Sequence, residues 1–96
     1  MTLVRQYQLT ARPDSAGQMQ AFLQELADRT SALDGCTKVE ILNDASNPNE
    51  FQYNEYWISD QHRTAGGEKL GREAFAPLVA LCDGKPKSLD MKVLRD

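Results

Sequence analysis

Phe51-Gln52-Tyr53-Asn54-Glu55-Tyr56-Trp57 is the stretch whose reading decides the fold. In an extended chain, residues two apart share a face, so Phe51, Tyr53, Glu55 and Trp57 point one way and Gln52, Asn54 and Tyr56 the other. One face is aromatic with a single carboxylate. Tyr and Trp each carry a polar tip that wants a partner when buried. This is the make-up of a small-molecule pocket wall and equally of an amphipathic strand packed on helices.

Working outward, Asp44-Ala45-Ser46-Asn47-Pro48-Asn49 is dense in turn formers and predicts the loop of a hairpin. Before it, Thr37 to Asn43 places Val39 and Ile41 on one face of a short strand. Further upstream, Leu3, Tyr7, Leu9 and Ala11 alternate with Val4, Gln6, Gln8 and Thr10 as the first strand. Pro13 ends that strand, and Asp14 or Ser15 is placed to cap a helix. Met19, Phe22, Leu23, Leu26 and Leu33 recur at helical spacing, with Gln18, Gln20, Gln24, Glu25 and Asp28 opposite. Gly35 suits the left-handed position past the helix end.

Downstream of Trp57, Ser59 or Asp60 caps a second helical region. Gly66 and Gly67 each cost a helix interior about 1 kcal/mol against Ala, which predicts an interruption there. After Gly71, the residues Ala74, Phe75, Leu78, Val79 and Cys82 recur three and four apart as one buried face. Pro77 either kinks that helix or sits in its first turn, and Asp83-Gly84-Lys85-Pro86 stops it. Leu89, Met91 and Val93 alternate with Ser88, Asp90 and Lys92 as the last strand.

The order strand, helix, strand, strand, helix, strand is the split β-α-β arrangement. It predicts an α+β ferredoxin-like domain, a four-stranded antiparallel sheet with its helices on one face. The other face must be solvated or covered by a second sheet. Val4, Tyr56 and Met91 or Leu94 are its candidate apolar residues, so a homodimer with sheets face to face is expected.

The chain's 96 residues fit one domain spanning 1–96, as single cores run to about 100 to 150 residues. Its net charge of -3, with Lys and Arg scattered, argues against a nucleic-acid backbone as partner. Cys36 and Cys82 form no disulfide framework, and no charged-then-apolar leader is apparent, so the expected location is cytoplasmic. Apolar runs fall far short of the roughly 20 residues that span a bilayer. One His and two distant Cys make no usual transition-metal site. Gly66-Gly67 lacks the Lys and Ser/Thr of a phosphate loop, and nothing supports flavin or nicotinamide, so no cofactor is expected.

Glu55 is the most informative candidate. A carboxylate among aromatics is costly unless paired, and burial raises its pKa towards the range of a general base. The competing reading is an ion pair with Arg5 or Arg72, or plain exposure. His62 is either a second proton acceptor or a solvated residue in a helix's first turn. Phe51, Tyr53 and Trp57 either grip a flat substrate or fill the core. Arg72 and Lys85 either meet an anionic substrate oxygen or are solvated, and Cys82 behaves as a small hydrophobe.

Four features together resemble the antibiotic-biosynthesis-monooxygenase domain family, whose members include small quinol monooxygenases and an isomerase of a phosphorylated sugar signal. They are the element order, the Asp34-Gly35-Cys36 turn, the Phe51-x-x-x-Glu55-x-Trp57 strand followed at once by Ser59-Asp60, and the Ala76-Pro77-Leu78 and Gly84-Lys85-Pro86-Lys87 ending. The resemblance covers nearly the whole chain. It implies a dimeric α/β barrel with a pocket between sheet and helices, and cofactor-independent oxygenation of a small aromatic or quinol-like substrate. The alternatives it leaves are isomerisation of a small phosphorylated carbonyl compound, using Arg72 or Lys85, and a non-catalytic binding module. Two positions depart from the family pattern. Gly66 stands where members commonly carry a His, and Tyr53 where some polyketide oxygenases carry an Asn.

Overall fold

In the computed structural model, which describes residues 2–96, β1 (Leu3–Thr10) pairs with both β3 (Asn47–Trp57) and β4 (Lys87–Lys92). β2 (Cys36–Asp44) adds to the far side of β3, giving the order β2-β3-β1-β4 with every pair antiparallel. Between strands run α1 (Ala16–Ser31), α2 (Asp60–Leu70), a 3-10 turn (Arg72–Phe75) and α3 (Ala76–Leu81). This is the α+β ferredoxin-like fold that the sequence predicts.

Register decides what each face carries. Leu9 opposes Phe51, Tyr7 opposes Tyr53 and Arg5 opposes Glu55, so these six side chains share one face. That face packs on the helices: Leu9, Phe51 and Tyr53 form one core with Met19, Leu23 and Leu26 of α1 and Leu78 of α3. On the other face Val4 opposes Tyr56 on one side and Met91 on the other. No helix covers Val4, Tyr56 and Met91, which flank an open depression with Gln6 and Asn54. Leu94 lies past β4 and is 87 % exposed. No helix among the described residues is long and apolar enough to cross a membrane.

Local differences from the sequence reading have identifiable causes. The hairpin loop is only Ala45-Ser46, because the Asp44 carboxylate accepts from both the backbone N–H and the hydroxyl of Ser46 at 2.8 Å. That local bond closes the turn early and lets β3 begin at Asn47. Ser15 precedes α1, but its side chain makes no capping bond. The glycines do not interrupt α2. Gly66 is buried in mid-helix under the Trp57 ring, so packing offsets its poor propensity. Pro77 sits in the first turn of α3, and this short helix turns Leu78 inward and leaves Val79 57 % exposed. Val79 is therefore not part of the buried face.

Gly35 satisfies two demands at once. Its φ is +84°, and a Cβ there would lie 2.5 Å from the His62 ring. Only glycine meets both conditions.

Candidate functional site

Glu55 lies in the middle of the sheet, opposite Arg5 on one side and Val39 on the other. It is 4 % exposed. Because Glu55 and Trp57 are two apart on one strand, the indole N–H reaches the carboxylate and donates to its Oε1 at 3.1 Å. Burial pushes the Glu55 carboxyl above the usual carboxylate range. The Trp57 bond and the charges of Arg5 and Arg63 oppose that shift without cancelling it.

The anticipated ion pair with Arg5 or Arg72 does not form. Arg5 is held across β4 by Asp90, with Nε–Oδ1 at 2.6 Å and Nη2–Oδ2 at 3.2 Å. Arg72 is exposed in the 3-10 turn, and Lys85 is exposed before β4. Neither lines the space around Glu55.

That space is a crevice of about 50 Å³. Its floor is Tyr7, Glu55 and Trp57, Thr30 and Leu33 close one side, and Arg63, Leu70 and Phe75 form the roof. Tyr7 belongs to β1 and is raised in pKa, first by burial and then by the nearby Glu55. Phe75 packs on it with ring centroids 6.0 Å apart. Arg63 is fixed by its own helix, since Nε and Nη2 both donate to Asp60 Oδ1 at 3.1 and 2.9 Å.

The remaining candidates lie elsewhere. Tyr53 is fully buried below the crevice, and its hydroxyl donates to Thr30 Oγ1 at 3.1 Å, which in turn donates to the Leu26 carbonyl at 2.8 Å. Its ring supports Tyr7 at 6.1 Å between centroids. Phe51 belongs to the core with Leu9 and Met19 and not to the crevice. His62 is turned to the far side of α2. Its Nδ1 lies 2.7 Å from the Ser59 hydroxyl, and Nε2 lies 3.7 Å from the Asp34 carboxylate. Ser59 is the N-cap of α2 and accepts from the His62 N–H at 3.1 Å. His62 thus braces the helix start against Gly35, outside the Glu55 crevice.

The structure therefore brings together Glu55 and Trp57 of the predicted set and adds Tyr7, Thr30 and Arg63. Tyr7 was legible only as an alternating residue of the first strand, because its neighbour across the sheet depends on register. Arg63 carries the one available signal, a spacing of three from Asp60 inside a helix. Among the described residues no group of three His, Cys, Asp or Glu side chains is placed to hold a metal ion.

The family model described as "Antibiotic biosynthesis monooxygenase" matches residues 2–65. No curated protein matches the chain. Among solved structures, Rv0793 from Mycobacterium tuberculosis is 17 % identical with a TM-score of 0.83, covering 100 % of this chain and 98 % of its own. A conserved protein from Methanosarcina mazei Go1 is 14 % identical with a TM-score of 0.85, over 96 % and 92 % of the two chains. SnoaB from Streptomyces nogalater, described as a cofactor-independent oxygenase, is 9 % identical with a TM-score of 0.85, over 99 % and 95 %. At these identities the likeness is one of fold.

Proposed function

Because the chain belongs to the antibiotic biosynthesis monooxygenase family, we propose that it oxygenates a small electron-rich aromatic or quinol-like substrate without a cofactor, over the Glu55–Trp57 pair. The observation that carries this reading is a buried carboxylate bonded to an indole N–H, raised in pKa and, among the described residues, without an ion-pair partner. A carboxylate raised above its usual range is a stronger base than a free one, which suits it to proton abstraction. It takes a proton from an acidic O–H or C–H of the ring compound, leaving the electron pair on the ring. The resulting anion reduces O2 directly. For a ring methylene the balance is CH2 + O2 → C=O + H2O, in which the substrate supplies all four electrons and no external reductant is required.

The crevice is smaller than an apolar cavity of roughly 150 Å³ that admits benzene. Ring entry therefore needs the roof to lift. Gly71, with a φ of +87°, lies between Leu70 and the 3-10 turn that carries Phe75, and this junction is where we place that movement.

Oxygen consumption with a panel of quinols tests the proposal. The wild type is expected to turn over at least one of them, with kcat/KM rising as pH climbs through the elevated Glu55 pKa, because the base must be ionised to act. Glu55→Gln should lower the rate on the order of 10²-fold and flatten that limb. No oxygen uptake with any quinol, or a Glu55→Gln profile superposing on the wild type, defeats the reading.

The proposal includes a homodimer, with the Val4, Tyr56 and Met91 face of one sheet set against the same face of a second copy. In support, Leu42 and Met91 on that face are 45 % and 42 % exposed in the single chain, and sheet pairing would remove them from water. Sedimentation velocity at micromolar concentration should give twice the chain mass. A monomer there counts against it.

A further inference from the structure

We propose that Arg63 is the anion anchor of this site, so that the substrate's reactive oxygen binds as a phenolate or enolate against its guanidinium. The site then prefers hydroxylated rings to equally shaped neutral ones. This rests on the Glu55 crevice being the substrate site.

The charges around the crevice single out Arg63. Arg5 and Tyr7 approach from β1, Cys36 from β2, Glu55 from β3, and Arg63 with Asp60 from α2; α1 and the 3-10 turn contribute the uncharged Thr30 and Phe75. Arg5 is already occupied at both oxygens of Asp90. Arg63 has both its bonds on a single Asp60 oxygen, through Nε and Nη2, which leaves Nη1 outside that pair. The Asp60 side chain is 72 % exposed whereas that of Arg63 is 24 % exposed. Water therefore screens the carboxylate far more than the guanidinium. Of this pair, it is the positive partner that faces the crevice.

That arrangement fits the proton transfer. When a neutral hydroxylated ring enters beside ionised Glu55, its O–H bond breaks, the electron pair stays on the ring oxygen and the proton moves to the Glu55 carboxylate. The site carries one negative charge before and after. No new charge is buried, which in a low-dielectric pocket is the decisive saving in energy. What changes is the position of the charge, and a guanidinium against the ring oxygen is what keeps the proton from returning. A planar, permanently charged group suits an oxygen on a flat ring.

The test is equilibrium binding of para-nitrophenol, whose phenolate absorbs in the visible, with nitrobenzene as the neutral isostere. Wild type should bind para-nitrophenol at least tenfold more tightly than nitrobenzene at neutral pH and raise the phenolate fraction of the bound ligand. Arg63→Gln should abolish both effects, and Arg63→Lys should retain most of the preference. Melting curves confirm that each variant is folded. If Arg63→Gln does not fold, an unshifted phenolate fraction on the wild type overturns the proposal by itself. Equal preference in Arg63→Gln, or no binding of para-nitrophenol, also overturns it. The readout needs no turnover, so a preserved preference with no oxygen uptake would defeat the monooxygenase reading and leave the anchor standing.

Discussion

Trp57→Ala is expected to cost about 3–5 kcal/mol of stability, the usual range for deleting a large buried aromatic. Trp57 is 2 % exposed. Its ring lies against Gly66 on one side and bonds Glu55 on the other. Trp57→Phe separates packing from hydrogen bonding. It keeps most of the ring but removes the N–H that meets Glu55 Oε1 at 3.1 Å, at a cost of about 1–3 kcal/mol for the unsatisfied buried acceptor.

The same variant changes the pH dependence in a fixed direction. Burial already raises the Glu55 pKa against the pull of the Trp57 bond. A raised carboxyl pKa in the folded state means the fold holds the proton more tightly than the unfolded chain does. The associated stability is complete below the unfolded value and is lost as pH rises through the folded one. Removing the indole N–H raises the folded value further, so Trp57→Phe should lose stability more steeply than wild type across that window. Urea unfolding at a series of pH values reads both effects. Trp57→Ala within about 1 kcal/mol of wild type would show that the indole is not a packing element. Trp57→Phe parallel to wild type at every pH would show that the bond contributes nothing.

The architecture was legible because period and punctuation agreed. Alternation marked the strands, three-and-four spacing marked α1, and the Asp44–Asn49 turn formers marked the hairpin. The site was half legible. Two residues of one strand, Glu55 and Trp57, share a face by geometry alone, and the structure places them together. Phe51 and Tyr53 share that face too, yet only its Trp57 end lies under α2, so position along the strand, which alternation does not report, assigns them to the core. His62 misled because it is the only histidine and lies near the site in sequence. One helical turn sends it round to Gly35 instead. Tyr7 and Arg63 needed strand register and helix phase together, neither of which a single sequence specifies.

Gly66 and Gly67 give the sharpest test of that distinction, because propensity treats them alike and packing does not. In a helix interior Gly→Ala is worth up to about 1 kcal/mol in favour of Ala. Nothing lies within 4 Å of the position a Cβ would take on Gly67, so Gly67→Ala should raise stability by about that amount. A Cβ on Gly66 would lie 2.5 Å from Trp57 Cη2 and 2.9 Å from Cζ3. The obstructing atoms belong to a rigid ring bonded to Glu55, so they have nowhere cheap to go. Overpacking of this kind costs about 1–3 kcal/mol. It exceeds the propensity gain and turns the sign of Gly66→Ala negative.

Any side chain larger than alanine at this position would meet the same indole more closely still. Gly66→Ala should also tilt Trp57 off Glu55 and shift its fluorescence, while Gly67→Ala leaves the emission unchanged. Thermal melts of the two variants decide the matter. Two shifts of the same sign would mean that the indole does not hold the helix at Gly66.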